Sequence, residues 1–155
     1  MTLQDILTLD CTQCAVPVHS KKRLLEQICQ LAADELSANG SSDSNPTDLL
    51  DSLLNREKMG STGIGNGIAI PHGRLNNTDK AIAVFLTTKQ AIDFDAIDNK
   101  PVDIFICLFV PNNSTQEHLD TLQSIAKLFS DRKTAKQVRK CTSQKEMFNL
   151  IQQAT

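Results

Sequence analysis

Arg56-Glu57-Lys58-Met59-Gly60-Ser61-Thr62-Gly63-Ile64-Gly65-Asn66-Gly67-Ile68-Ala69-Ile70-Pro71-His72-Gly73-Arg74 is the stretch on which the reading of this chain turns. A helix runs into it: Asn45 as N-cap and Pro46 at the first helical position open a segment carrying Leu49, Leu50, Leu53 and Leu54, and Arg56 falls at its C-terminal end. Ile68 to Ile70 then reads as a short strand. The order is therefore helix, glycines, strand, the reverse of the strand-turn-helix order that sets a pyrophosphate on a helix N-terminus. Glycines this dense let the backbone turn tightly and approach a bound group. His72, fixed between Pro71 and Gly73, offers a nucleophilic nitrogen beside permanent positive charge. The same residues taken singly have plainer uses: glycines make tight turns, an arginine closing a helix caps its carbonyls, and a histidine packs.

On the N-terminal side, Leu24, Leu25, Ile28, Leu31, Ala32 and Leu36 recur at helical spacing after Ser20, and Asn39-Gly40 stops them. Gly40 to Ser44 reads as a surface loop. On the C-terminal side, Ala81 to Thr88 and Val102 to Val110 are rich in Val, Ile and Phe and bounded by turn residues, as buried strands are. Ser114 and Glu117 fit a capping box for a helix with Leu119, Leu122, Ile125, Ala126 and Phe129 on its apolar face. Ser143 and Glu146 repeat the pattern for a last helix. These elements imply an α/β fold, a mixed β-sheet flanked by helices in a single layered domain over 1–155.

With 155 residues and 40% apolar content the chain can bury one core, and a second domain is not expected. A formal charge of -2, no Trp, no Tyr and only six Phe argue against a nucleic-acid partner, which calls for a basic face and stacking aromatics. Lys21-Lys22-Arg23 and the basic group from Arg132 to Lys140 fall on predicted helices or their edges, where solvated charge is the ordinary explanation. Asp5 and Asp10 interrupt any secretory leader, and no apolar run approaches the roughly 20 residues that span a bilayer. A cytoplasmic protein without direct membrane insertion is expected. Five cysteines, an odd number, do not make a paired framework, so reduced thiols are the default. Cys11-Thr12-Gln13-Cys14 lacks the second ligand pair that zinc needs, and no metal is expected.

The known phosphate motifs fail one by one. A P-loop places Lys and then Ser or Thr after its last glycine, where this chain has Asn66-Gly67; a nucleophile elbow needs a glycine where Met59 stands before Ser61. Histidine remains as the nucleophile: neutral imidazole attacks phosphorus with one nitrogen while the other donates the hydrogen bond that fixes the tautomer. Arg56 can grip phosphoryl oxygens in fork geometry, and the glycine segment with Ser61, Thr62 and Gly63 can add backbone and hydroxyl donors as phosphate-binding support. His118, in the first turn after Ser114, would sit at a helix N-terminus that favours neutral imidazole and welcomes an anion, or else is an exposed first-turn residue.

The segment from Arg56 to Gly73 strongly resembles the active-site signature of the IIA domains of the phosphoenolpyruvate phosphotransferase system, mannitol/fructose class. Phe94-Asp95-Ala96-Ile97-Asp98-Asn99-Lys100-Pro101-Val102-Asp103, running into Leu108-Phe109-Val110-Pro111, resembles the nitrogen-regulatory branch of that class. The likeness covers nearly the whole chain; only the loop Gly40 to Thr47 looks longer than usual. By position it implies His72 as the phosphoryl acceptor at Nε2, His118 as the second active-site histidine and Arg56 as the phosphate-binding arginine. It also implies a mixed sheet flanked by helices, an HPr-like phosphocarrier as donor, no metal or nucleotide cofactor, and regulatory targets in potassium transport or nitrogen metabolism. Two other functions stay open: a sugar-specific IIA component passing its phosphoryl group to a separate IIB protein, and a binding module without covalent chemistry.

Overall fold

A computed structural model describes residues 2–40, 45–76, 80–112 and 115–154. In chain order its elements are α1 (Leu3–Ile6), β1 (Leu7–Val16), α2 (Lys21–Ala38), α3 (Pro46–Glu57), β2 (Gly63–Gly65), β3 (Ile68–Ala69), β4 (His72–Leu75), β5 (Ile82–Ile92), β6 (Val102–Pro111), α4 (Thr115–Ser130), α5 (Arg132–Lys140) and α6 (Gln144–Gln153). Helices start where the sequence supplies a side-chain acceptor for an orphan N–H. Ser20 Oγ accepts from Arg23 N–H at 3.2 Å, Asn45 Oδ1 from Thr47 N–H at 2.9 Å and Ser143 Oγ from Glu146 N–H at 3.1 Å. The capping pair at Ser114 and most of the loop after Gly40 lie outside the described residues.

The sheet runs β1-β5-β6-β3-β2, with β4 also paired to β6. Its pairings are mixed: β1 is parallel to β5, β5 antiparallel to β6, and β3 and β4 both parallel to β6. Both faces are covered, as expected of a mixed sheet flanked by helices. Along β6 the side chains alternate between two cores. Phe105, Cys107 and Phe109 pack with Leu24, Ile28 and Leu53 of α2 and α3, while Ile104, Ile106, Leu108 and Val110 pack with Ile125, Phe129, Val138 and Met147 of α4, α5 and α6. Burial on both sides explains why β5 and β6 read as nearly continuous apolar runs.

β2 and β3 form a hairpin closed by Asn66-Gly67, both at positive φ (58° and 80°), the turn that matches strand twist. A Cβ at Gly67 would also fall on the Arg139 guanidinium, which ion-pairs with Asp103 at 2.9 Å and donates to the Asn66 carbonyl at 2.7 Å. β3 and β4 lie end to end along β6, interrupted at Ile70-Pro71. That interruption sets His72 at the start of β4.

Candidate active site

Arg56 occupies the last turn of α3, and the chain then turns tightly, with Met59 N–H on the Arg56 carbonyl and Gly60 N–H on the Glu57 carbonyl, each at 3.1 Å. The turn presents the Gly60 carbonyl to the Arg56 guanidinium, whose Nη1 donates to it at 2.8 Å. The same guanidinium donates from Nε to His72 Nε2 at 3.0 Å. On the strand side, Leu108 N–H donates to the Pro71 carbonyl at 3.0 Å and His72 aligns with Leu108 of β6. The next residue has no room for a side chain: a Cβ on Gly73 would meet Ser52 Oγ at 2.8 Å and the Phe109 ring at 3.2 Å. Ser52 instead accepts from Arg74 N–H at 2.8 Å, so α3 clamps β4 beside the histidine.

Both ring nitrogens of His72 are assigned by their surroundings. Nδ1 faces the Ile70 carbonyl at 3.1 Å, which fixes it as the N–H donor, and leaves Nε2 with the lone pair that accepts from Arg56. Burial holds its pKa below the ordinary 6.5; the bond to the Ile70 carbonyl opposes this, the Arg56 charge adds to it, and Glu57 opposes it more weakly. This lowering favours the neutral imidazole, with the lone pair on Nε2.

His118 lies in the first turn of α4, is only 2% exposed, and has no hydrogen-bond partner for Nδ1 among the described residues. Arg56, His72 and His118 line one cavity of about 400 Å³. Arg56 and His72 of the glycine-rich stretch thus meet His118 from a distant part of the chain. Ser61, Thr62 and Gly63 do not line this cavity. Ser61 Oγ donates to the Phe94 carbonyl at 2.9 Å, Thr62 N–H and Oγ1 donate to the Glu57 carboxylate, and Gly63 N–H donates to Ser61 Oγ at 3.0 Å. Their donors are spent on shaping the loop beneath the site.

Residues 5–154 match the family described as phosphoenolpyruvate-dependent sugar phosphotransferase system, EIIA 2. The chain belongs to this family. A relative called nitrogen regulatory protein, from Escherichia coli K12, is 44% identical over 152 residues, covering 97% of this chain and 90% of its own. The crystal structure of nitrogen regulatory protein IIA-Ntr from Neisseria meningitidis superposes with a TM-score of 0.85 at 36% identity, covering 96% of this chain and 98% of that one. IIA mannitol from Escherichia coli shares the fold at 19% identity, with a TM-score of 0.66 over 97% of this chain and 98% of its own.

Within this EIIA 2 fold the cavity gains residues that motif reading passed over. Arg74 lies two positions beyond His72 on β4, lines the cavity, and its guanidinium makes no hydrogen bond or ion pair with the described residues. The i, i+2 spacing on a strand was the available signal. Met59, 83% exposed, and Leu119, 43% exposed, form an apolar rim at the mouth. Glu57, adjacent to Arg56, is nearly buried and ion-paired to Lys21 at 2.8 Å. No helix among the described residues is long and apolar enough to cross a membrane.

Proposed function

We propose that this chain is a phosphohistidine carrier and regulator of a nitrogen-type phosphotransferase system, acting in the cytoplasm as one EIIA type-2 domain. The observation that carries the reading is the assignment of the His72 ring: Nδ1 is committed to the Ile70 carbonyl, and Nε2 points its lone pair into a cavity shared with Arg56 and His118. Nε2 attacks the phosphorus of a phosphohistidine on an HPr-like carrier. One N–P bond forms as another breaks, and the carrier's imidazole leaves with the electron pair. Positive charge developing on the His72 ring is stabilised through the Nδ1–H bond to Ile70. The Arg56 guanidinium exchanges the Nε2 lone pair for phosphoryl oxygens as the group arrives, and His118 supplies a further polar contact from the N-terminal turn of α4. Because like bonds are exchanged, positioning and charge stabilisation carry the step, without metal or nucleotide.

Met59 and Leu119 offer the carrier an apolar landing surface around the histidine. Regulation follows from the charge the group brings, which changes what the cavity mouth presents to target proteins, with potassium transport and nitrogen metabolism as expected fields of action. The nitrogen regulatory relatives support this reading over a sugar-specific one. Incubation with phosphoenolpyruvate, enzyme I and an HPr-like carrier tests it. Wild type should acquire an acid-labile phosphoryl group, His72→Ala none, and Arg56→Ala and His118→Ala the same group more slowly. Full labelling of His72→Ala would defeat the proposal, and rapid onward transfer to a IIB protein would favour the sugar route.

A further inference from the structure

We infer that Glu57 is a positioning residue for phosphoryl transfer, acting through Arg56 by clasping the loop whose carbonyl aims the guanidinium at His72; the inference rests on the proposed phosphoryl chemistry. The Glu57 side chain is 6% exposed, and a carboxylate so placed needs partners. It receives Thr62 N–H at 3.1 Å and the Thr62 hydroxyl on Oε1, and Lys21 Nζ on Oε2 at 2.8 Å. Lys21 is itself held 4.5 Å from the centroid of the Phe94 ring and 3.4 Å from the Phe94 carbonyl, the oxygen that also takes the Ser61 hydroxyl. Glu57 and Thr62 thus close a short loop with Gly60 inside it, at a φ of 134°.

The Gly60 carbonyl is the second anchor of Arg56. A guanidinium held only by His72 Nε2 would be free to swing about its long stem; held also through Nη1, it has one orientation. The links from Lys21 to His72 thus run from Lys21 to Glu57, from Glu57 to Thr62, along the closed loop to Gly60, and from the Gly60 carbonyl through Arg56 to His72. Glu57 itself does not line the cavity. It touches no reacting atom, and its influence runs through the arginine.

A double-mutant cycle on the full chain separates this role from plain stabilisation. Glu57→Ala should slow phosphoryl acceptance from the HPr-like carrier about 10- to 100-fold, the scale of a small misplacement of a catalytic group. In an Arg56→Ala background the same substitution should change the rate less than about threefold, since the residue it positions is gone. Glu57→Gln retains an oxygen for Thr62 and should recover much of the rate; if Glu57→Ala fails to fold, Thr62→Val, which removes the hydroxyl from the Glu57 carboxylate, carries the test and should slow acceptance with Arg56 present and not in the Arg56→Ala background. Equal losses in both backgrounds, or no loss in either, would overturn the inference. The Arg56 Nε–H resonance provides a readout independent of the chemistry: protected from exchange in wild type and unprotected in Glu57→Ala if the clasp positions Arg56, unchanged if it does not. A wild-type protein that accepts no phosphoryl group would fail the carrier proposal alone, because the resonance still decides whether Glu57 fixes the guanidinium.

Discussion

A histidine that is to attack phosphorus has to be neutral, with one defined nitrogen free, and His72 meets both demands through burial and three neighbours. Burial and the Arg56 charge depress its proton affinity, the Ile70 carbonyl and Glu57 partly restore it, and the balance lies below the ordinary value of 6.5. We expect a His72 titration followed by ring NMR to have its midpoint below 6.5; a midpoint above it would contradict the electrostatics. The sign for stability follows: the unfolded chain takes up this proton first, so the contribution of His72 is fully present above the unfolded pKa and falls as pH drops through it. Arg56 makes two directed bonds from one planar group. Arg56→Lys keeps the charge and loses the fork, and should slow phosphoryl acceptance by about 10- to 100-fold. A rate within twofold of wild type would mean that charge alone suffices. The grouping of Arg56, His72 and His118 was the most legible part of the site, because the spacing around His72 pointed to histidine once the other phosphate motifs failed, and the three do line one cavity. The use of Ser61 and Thr62 was not legible, since a hydroxyl near a glycine turn bonds whatever carbonyl or carboxylate the fold brings to it, here Phe94 and Glu57.

The elements differ in how far the sequence announces them. α2, α3 and α6 carry both periodicity and a capping side chain, and they form where these stand. β5 and β6 are apolar on both faces; β5 extends to Ile92, beyond the expected end at Thr88, across a register shift after Thr87. β1 carries no readable pattern: it is an edge strand, mixed in polarity, broken by Ala15 at a φ of 53°, and its pairing with β5 shifts register twice. β4 is invisible for another reason. His-Gly-Arg-Leu has little strand preference, and β6 beside it supplies the ladder. Gly73 is the element-scale requirement for the site, because its missing Cβ lets Ser52 close on β4. Gly73→Ala should destabilise the protein by about 1–3 kcal/mol in urea denaturation through overpacking. No measurable loss would show that α3 and β4 can separate without cost.

At the scale of the whole molecule, a sheet buried on both faces holds the cavity from three directions: α3 brings Arg56, β4 brings His72 and α4 brings His118. The mixed sheet was foreseen from two early helices, a glycine-rich turn region, several strands and then further helices, and its exact order was not, because β1, β2 and β4 owe their pairing to neighbours rather than to their own residues. A site preorganised on packed elements can take up charge without moving its frame. Backbone amide spectra before and after phosphorylation should therefore differ around His72, Arg56 and the start of α4, and not across α6 or β1; changes spread over the sheet would point to a conformational switch instead. The most direct test of the account is to phosphorylate the nitrogen-15-labelled protein through the carrier and read which ring nitrogen couples to phosphorus. The account expects the phosphoryl group on His72 Nε2, with Nδ1 still protonated. A group on Nδ1, on His118, or on neither histidine would contradict it.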